Sequence, residues 1–133
     1  MKFLLDTHVW IWAQEDASQI GPRTRQLLVA PQHENHVCAI STLELARLVD
    51  TGAISVFIAL KDWVAGALRA TQAQTIQVSH EIAMDAYALP GAFHKDPADR
   101  ILVAAARCHD LTLLTADQRI LKYGGVRSRD ARK

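Results

Sequence analysis

Two features of the sequence predict an α/β fold with a small, mostly parallel central sheet. Short apolar runs alternate with segments of helical periodicity, in the order strand, helix, strand, helix. Half of the 133 residues are hydrophobic and 22% are charged, which suits one domain folded round one core, spanning 1–133. That balance is far from the low-hydrophobicity, high-charge signature of disorder. There are no repeats, low-complexity tracts or internal linkers.

Each element has its own signal. KFLLD reads as a buried strand, followed by a helix from about Thr7. Gly21-Pro22 opens a second helix through RTRQLLVA, which Pro31 ends. HVCAI is a second strand, and STLELARLVDTG a helix stopped by Gly52. VFIALKDWVAGALRATQ carries Phe57, Leu60, Val64 and Leu68 near helical spacing. TIQVS is a third strand, and HEIAMDAYAL a helix that Pro90-Gly91 terminates. DPADRILVAAARCHD is a helix with Pro97 at its first position. TLLT is a fourth strand and ADQRILKYG a short helix. Gly124-Gly125 then turns the chain toward a basic tail from about residue 127. Its Arg127, Arg129, Arg132 and Lys133 read as a solvated, mobile end.

Composition narrows the function classes. No apolar run approaches the roughly 18 residues of a membrane span. Asp6 interrupts the apolar N-terminal stretch too early for a secretory signal, so the expected location is the cytoplasm. Cys38 and Cys108 lie in apolar contexts without metal-ligand spacing and read as reduced core residues. The net charge of +1 announces no nucleic-acid binder, so any such binding must come from a local patch.

The acids are the informative residues. With right-handed crossovers, all strands of a parallel sheet end on one side, where ligands bind. Asp6 ends the first strand, Glu44 lies one turn into the helix after the second, and Asp96 and Asp99 open the helix before the fourth. Asp117 follows the fourth strand. Taken singly, each is a good helix-start residue. Ser41 and Glu44 have the spacing of a capping box, and Asp96 precedes Pro97 as a cap. Capping is worth roughly 0.3–1 kcal/mol per acid and does not explain convergence. Two carboxylates about 5 Å apart repel by roughly 3 kcal/mol at an effective dielectric near 20. Either some hold protons or a cation sits among them, and oxygen donors suit Mg²⁺ or Mn²⁺. Helix N-termini on the same rim would receive phosphate, which suggests metal-assisted phosphodiester hydrolysis.

LLDTHVWIW, STLELARL, DPADRILVAAA and LLTAD resemble, in order, the four motifs of the PIN-domain family, and most closely its VapC-type toxin ribonucleases. The resemblance spans essentially the whole chain. It implies a PIN-like α/β/α sandwich, a metal-dependent endoribonuclease, a cognate VapB-type antitoxin and a homodimer. The family's catalytic and metal-binding acids fall on Asp6, Glu44, Asp99 and Asp117, with Asp96 as an accessory acid. Thr115 matches a small hydroxyl residue of the last motif and is, with Arg100 and His8, a candidate substrate contact.

Other residues have two readings each. His8 and His94 flank acids and either touch RNA or are solvated. Arg100 pairs with an acid or holds a phosphate. Lys95, Arg119 and Lys122 are further phosphate-contact candidates. VWIWA is apolar on every side of its helix, so Trp10 and Trp12 read as candidates for a partner surface, with Trp63 behind them. Three rival functions remain. A haloacid-dehalogenase-like phosphatase wants an acid two residues after Asp6, where His8 stands. A receiver-type switch wants a paired acid cluster near the first strand and a Lys after the last. A catalytically silent PIN-like RNA- or protein-binding module keeps the fold without the chemistry.

Overall fold

The computed structural model describes residues 1–133. Five parallel strands form one sheet: β1 (Lys2–Leu5), β2 (Glu34–Cys38), β3 (Gln74–Ile76), β4 (Thr112–Thr115) and β5 (Ser128–Asp130), in the order β3-β2-β1-β4-β5. Seven helices complete the chain: α1 (Thr7–Glu15), α2 (Pro22–Val29), α3 (Ala39–Asp50), α4 (Leu60–Thr71), α5 (His80–Asp85), α6 (Pro97–Cys108) and α7 (Gln118–Leu121).

The three-layer arrangement follows from strand alternation. In β1, Phe3 and Leu5 join a core with Trp10, Leu45 and Trp63, whereas Leu4 faces Leu102, Val103 and Ile120 on the other side. Leu113 and Leu114 of β4 divide in the same way. A sheet buried on both faces needs continuous apolar strands, which is why KFLL and TLLT show no polar alternation. None of the helices is long and apolar enough to cross a membrane.

Several boundaries differ from the sequence expectation. The second strand stops at Cys38, and Ala39 and Ile40 already belong to α3. Ser41 is therefore not a cap: it is fully buried inside the helix, and the capping-box reading of Ser41 and Glu44 fails. Phe57 lies outside α4 and is 99% exposed, because the buried face of that helix is made by Trp63 and Ala67. α5 ends at Asp85, before Pro90-Gly91.

The C-terminal segment is not a mobile tail. β5 adds to β4 at the sheet edge, with the Ala131 N–H donating to Thr115 O across 2.8 Å. Ala131 is fully buried, and the Gly21 N–H donates to its carbonyl. The basic letters RSRDARK hide this strand because an edge strand needs few apolar side chains.

Trp10 also departs from expectation. Its side chain is completely buried, edge-on to the Trp63 ring at 5.1 Å, so it offers no surface to a partner. α3 and α4 both pack against α1 and cover the apolar sides that looked unpartnered in the sequence. Trp63 is buried too, its indole N–H donating to Glu15 across 3.0 Å. Trp12 is half-buried and turns toward the acidic rim.

Candidate active site

The carboxyl end of the sheet holds a cavity of about 340 Å³ lined by Asp6, Glu44, Asp96, Asp99 and Asp117. Asp6 is the residue after β1 and caps α1, and Asp117, two residues beyond β4, caps α7. Glu44 is in the second turn of α3. Asp99 is in the first turn of α6, which Asp96 caps through the N–H groups of Ala98 and Asp99. α6 runs back against the strands, so its N-terminus returns to the rim where the strands end.

Buried hydroxyls fix the first-motif acid. Asp6 Oδ1 accepts from the Thr7 N–H at 2.7 Å, and Oδ2 accepts from Thr115 Oγ1 at 2.6 Å. Thr7 Oγ1 donates to Glu44 Oε1 at 2.7 Å and lies 2.8 Å from Ser41 Oγ. One short network thus joins β1, α3 and β4. Thr7 was not singled out by sequence reasoning, although a hydroxyl directly after Asp6 was the available signal, and Ser41 was read only as a helix cap.

The electrostatics follow from this crowding. Burial pushes the Asp6 carboxyl above its usual range, against the Thr115 and Thr7 hydrogen bonds. Burial also raises Glu44, with repulsion from Asp6 and Asp96 adding to it. Asp99 rises to about 7, through burial first and then repulsion from Asp6, Asp96, Asp117 and Glu44. Asp117 moves the other way. Although burial opposes it, the hydrogen bonds from Arg119 hold it below the ordinary carboxylate value.

Cations ring this cavity. Arg119 sits 2.9 Å from Asp117 Oδ2 and 3.7 Å from Asp99 Oδ2. Arg132, assigned from sequence to a free tail, donates to Ala116 O at 3.1 Å and lines the cavity. Arg47, which sequence reasoning did not single out, lines it one turn beyond Glu44. His8 is exposed at the rim, where it was expected. His94 is better placed than a solvated loop residue. Its Nε2 lies 3.1 Å from Asp99 Oδ2, without hydrogen-bond alignment, and its donor atom groups with those of Asp99 and Asp117 within 4.8 Å. Burial lowers the His94 pKa, with Arg119 adding to the effect, so the ring is neutral at pH 7.

Two expected substrate contacts are corrected. Arg100 donates to the carbonyls of Ala86, Phe93 and His94 and lies over the Tyr87 ring, so its guanidinium is used up inside the protein. Thr115 is fully buried beneath Asp6 and cannot touch substrate. Its role is to position an acid.

The donor set fits a hard divalent cation. It is all oxygen apart from His94, and the burial and mutual repulsion that raise Asp99 to about 7 are what a bound cation would offset.

Comparison with known proteins finds one family and one fold. The PIN-domain family model matches residues 3–126. The chain is 33% identical over 120 residues to "Ribonuclease VapC22" of Mycobacterium tuberculosis, covering 90% of each protein. Three solved structures share the fold: VapBC2 from Rickettsia felis bound to a promoter DNA fragment (TM-score 0.69, 16% identity, 97% of this chain and 98% of that one), VapBC from Salmonella typhimurium bound to DNA (TM-score 0.68, 17% identity, 98% of both) and a toxin–antitoxin complex from Klebsiella pneumoniae (TM-score 0.66, 22% identity, 96% of both).

Proposed function

The chain belongs to the PIN-domain family, and on that premise we propose that it is an Mg²⁺- or Mn²⁺-dependent endoribonuclease, the toxin of a toxin–antitoxin pair. The observation that carries this reading is the convergence of Asp6, Glu44, Asp99 and Asp117 on one cavity at the carboxyl end of the sheet. These four acids are the proposed metal-holding and catalytic residues, with Asp96 accessory at the mouth.

A bound Mg²⁺ or Mn²⁺ would supply an acidified water and neutralise charge on the phosphate. The protein's own part is positioning. Thr115 and Thr7 hold the Asp6 carboxylate in one orientation, and Thr7 does the same for Glu44. The charge of such an ion would lower the raised Asp99 pKa, so this residue would hold it as a carboxylate. Arg119, Arg132, Arg47 and His8 stand round the acids, where the phosphates flanking the scissile bond approach. The half-buried Trp12 is the indole of α1 left within reach of a partner.

The matched ribonuclease and the toxin–antitoxin neighbours support a VapB-type antitoxin, and we further propose, on the family resemblance alone, a homodimer acting in the cytoplasm. Sequencing of RNA cleavage ends after controlled expression, beside an Asp6→Asn control, tests the reading. Discrete new 5′ ends are expected with the wild type and none with the control. RNA binding without cleavage, whatever divalent ion is added, would mean a catalytically silent binding module instead.

A further inference from the structure

We propose that the open cavity beside the acidic centre, bounded by Phe93, His94, Arg119, Lys122, Tyr123 and Gly124, is a nucleotide subsite that holds one residue of the RNA strand next to the scissile phosphate. The inference rests on the ribonuclease reading and adds a place for the strand.

The cavity measures about 730 Å³. Ligand sites fall in the range of roughly 300–1,000 Å³. It adjoins the acidic centre: Arg119 lines both, and His94 reaches from it to within 3.1 Å of Asp99. A strand with one phosphate at the acids therefore passes Arg119 into this space.

Its chemistry is the reverse of its neighbour's. No acid lines it, while Arg119 and Lys122 do. Lys122 forms no ion pair within the chain, so its charge is free for a phosphate. The walls offer aromatic surface. The Phe93 ring lies 4.3 Å from His94 and 4.7 Å from Tyr123, making one contiguous π surface. Single-stranded bases are held in this way, by stacking on aromatic rings beside cations that track the backbone.

The walls are also fixed in advance. The Tyr123 hydroxyl donates to Pro90 O, and its ring lies so close to Gly125 that a Cβ there would fall 2.3 Å away. Arg100 pins the facing loop by donating to Phe93 O and His94 O at 2.9 and 3.0 Å. Such rigidity lowers the entropy lost when a ligand binds.

Two variants suit the test. A Cβ at Gly124 meets nothing within 4 Å, so Gly124→Leu adds bulk at the cavity without displacing a neighbour. Lys122→Ala removes an exposed charge. The wild type is titrated with 5′-AMP and 5′-UMP, which have no scissile linkage, and followed by amide NMR. Kinetics on a mixed-sequence single-stranded RNA with Mg²⁺ run in parallel.

Both nucleotides should shift the amides of Phe93, Tyr123 and Gly124. Gly124→Leu should weaken that binding and raise KM for RNA about fivefold to tenfold. Lys122→Ala should reduce the slope of log KM against log salt by about 0.7. Shifts confined to the acidic centre, with both variants at wild-type KM, overturn the subsite and leave the ribonuclease reading standing. Shifts at the cavity in a protein that cuts no RNA overturn the ribonuclease reading and keep a nucleotide site.

Discussion

Thr115 Oγ1 donates to Asp6 Oδ2 across 2.6 Å, although 109 residues separate them, and the same oxygen accepts the Asp117 N–H at 3.0 Å. One buried hydroxyl therefore ties the acid after β1 to the acid after β4. Thr115→Val keeps the shape and removes the hydroxyl. It leaves a buried carboxylate oxygen and an N–H without a partner, at a cost of about 1–3 kcal/mol. Urea unfolding should show that loss, RNA cleavage should fall with it, and Thr115→Ser should restore both. A Val variant as stable and active as the wild type would sink the positioning role.

The raised Asp99 pKa sets the pH dependence of the metal-free protein. A carboxyl at about 7 when folded and 3.8 when unfolded binds more protons in the native state across that interval. Its contribution to stability is thus fully present below about pH 4 and is lost as pH rises through about 7. Thermal melts in EDTA should show the midpoint falling between about pH 4 and 7 through this group. Asp99→Asn should flatten that fall, and Mg²⁺ should reverse it in the wild type alone. An Asp99→Asn protein with an unchanged pH profile would place the titration elsewhere.

Arg119 would compete with a metal ion for the oxygens of Asp117 and Asp99. The guanidinium contacts both oxygens of Asp117 and approaches Asp99, yet the side chain is 60% exposed and free to swing away. Arg119→Gln should therefore strengthen Mg²⁺ binding in titration calorimetry severalfold while weakening single-stranded RNA in fluorescence anisotropy. The depressed Asp117 pKa should rise toward its ordinary value in the variant, since the guanidinium hydrogen bonds and charge are gone while the backbone N–H of residue 119 still donates. Weaker Mg²⁺ binding in Arg119→Gln would contradict the competition.

How much of this was legible in the sequence depends on what each residue answers to. β1 and β4 were readable because strands buried on both faces must be apolar throughout, and their ends delivered Asp6 and Asp117. Asp96 was readable as a cap because Pro97 fixes the first turn of α6. Glu44 was readable from its place in the helix after β2, and the competing capping-box reading fails because α3 starts at Ala39. β5 stayed hidden because an edge strand is held by backbone hydrogen bonds that leave no mark on the letters RSRDARK. Arg100 looked like a phosphate ligand because sequence shows a charge and not the three carbonyls that surround it. The burial of Trp10 depends on α3 and α4 closing over α1, a tertiary outcome that helix periodicity does not contain.

The C-terminal strand gives a test remote from the acids. Gly21 faces the end of the chain so closely that a Cβ would lie 2.3 Å from Arg132 O. Its N–H donates to Ala131 O at 2.9 Å, and the Arg23 N–H donates to Lys133 O at 3.0 Å. Backbone stands on both sides, so Gly21→Ala cannot be relieved by a side-chain movement and must push the last residues away. The strain is that of an overpacked site, about 1–3 kcal/mol. Because Arg132 lines the acidic cavity and donates to Ala116 O, the displacement should also take a cation from the rim. Gly21→Ala should thus lower both the unfolding midpoint and the affinity for single-stranded RNA. Arg132→Ala should lower the affinity alone. A Gly21→Ala protein that loses stability but binds RNA as the wild type does would show that Arg132 holds the chain end and takes no part in holding RNA.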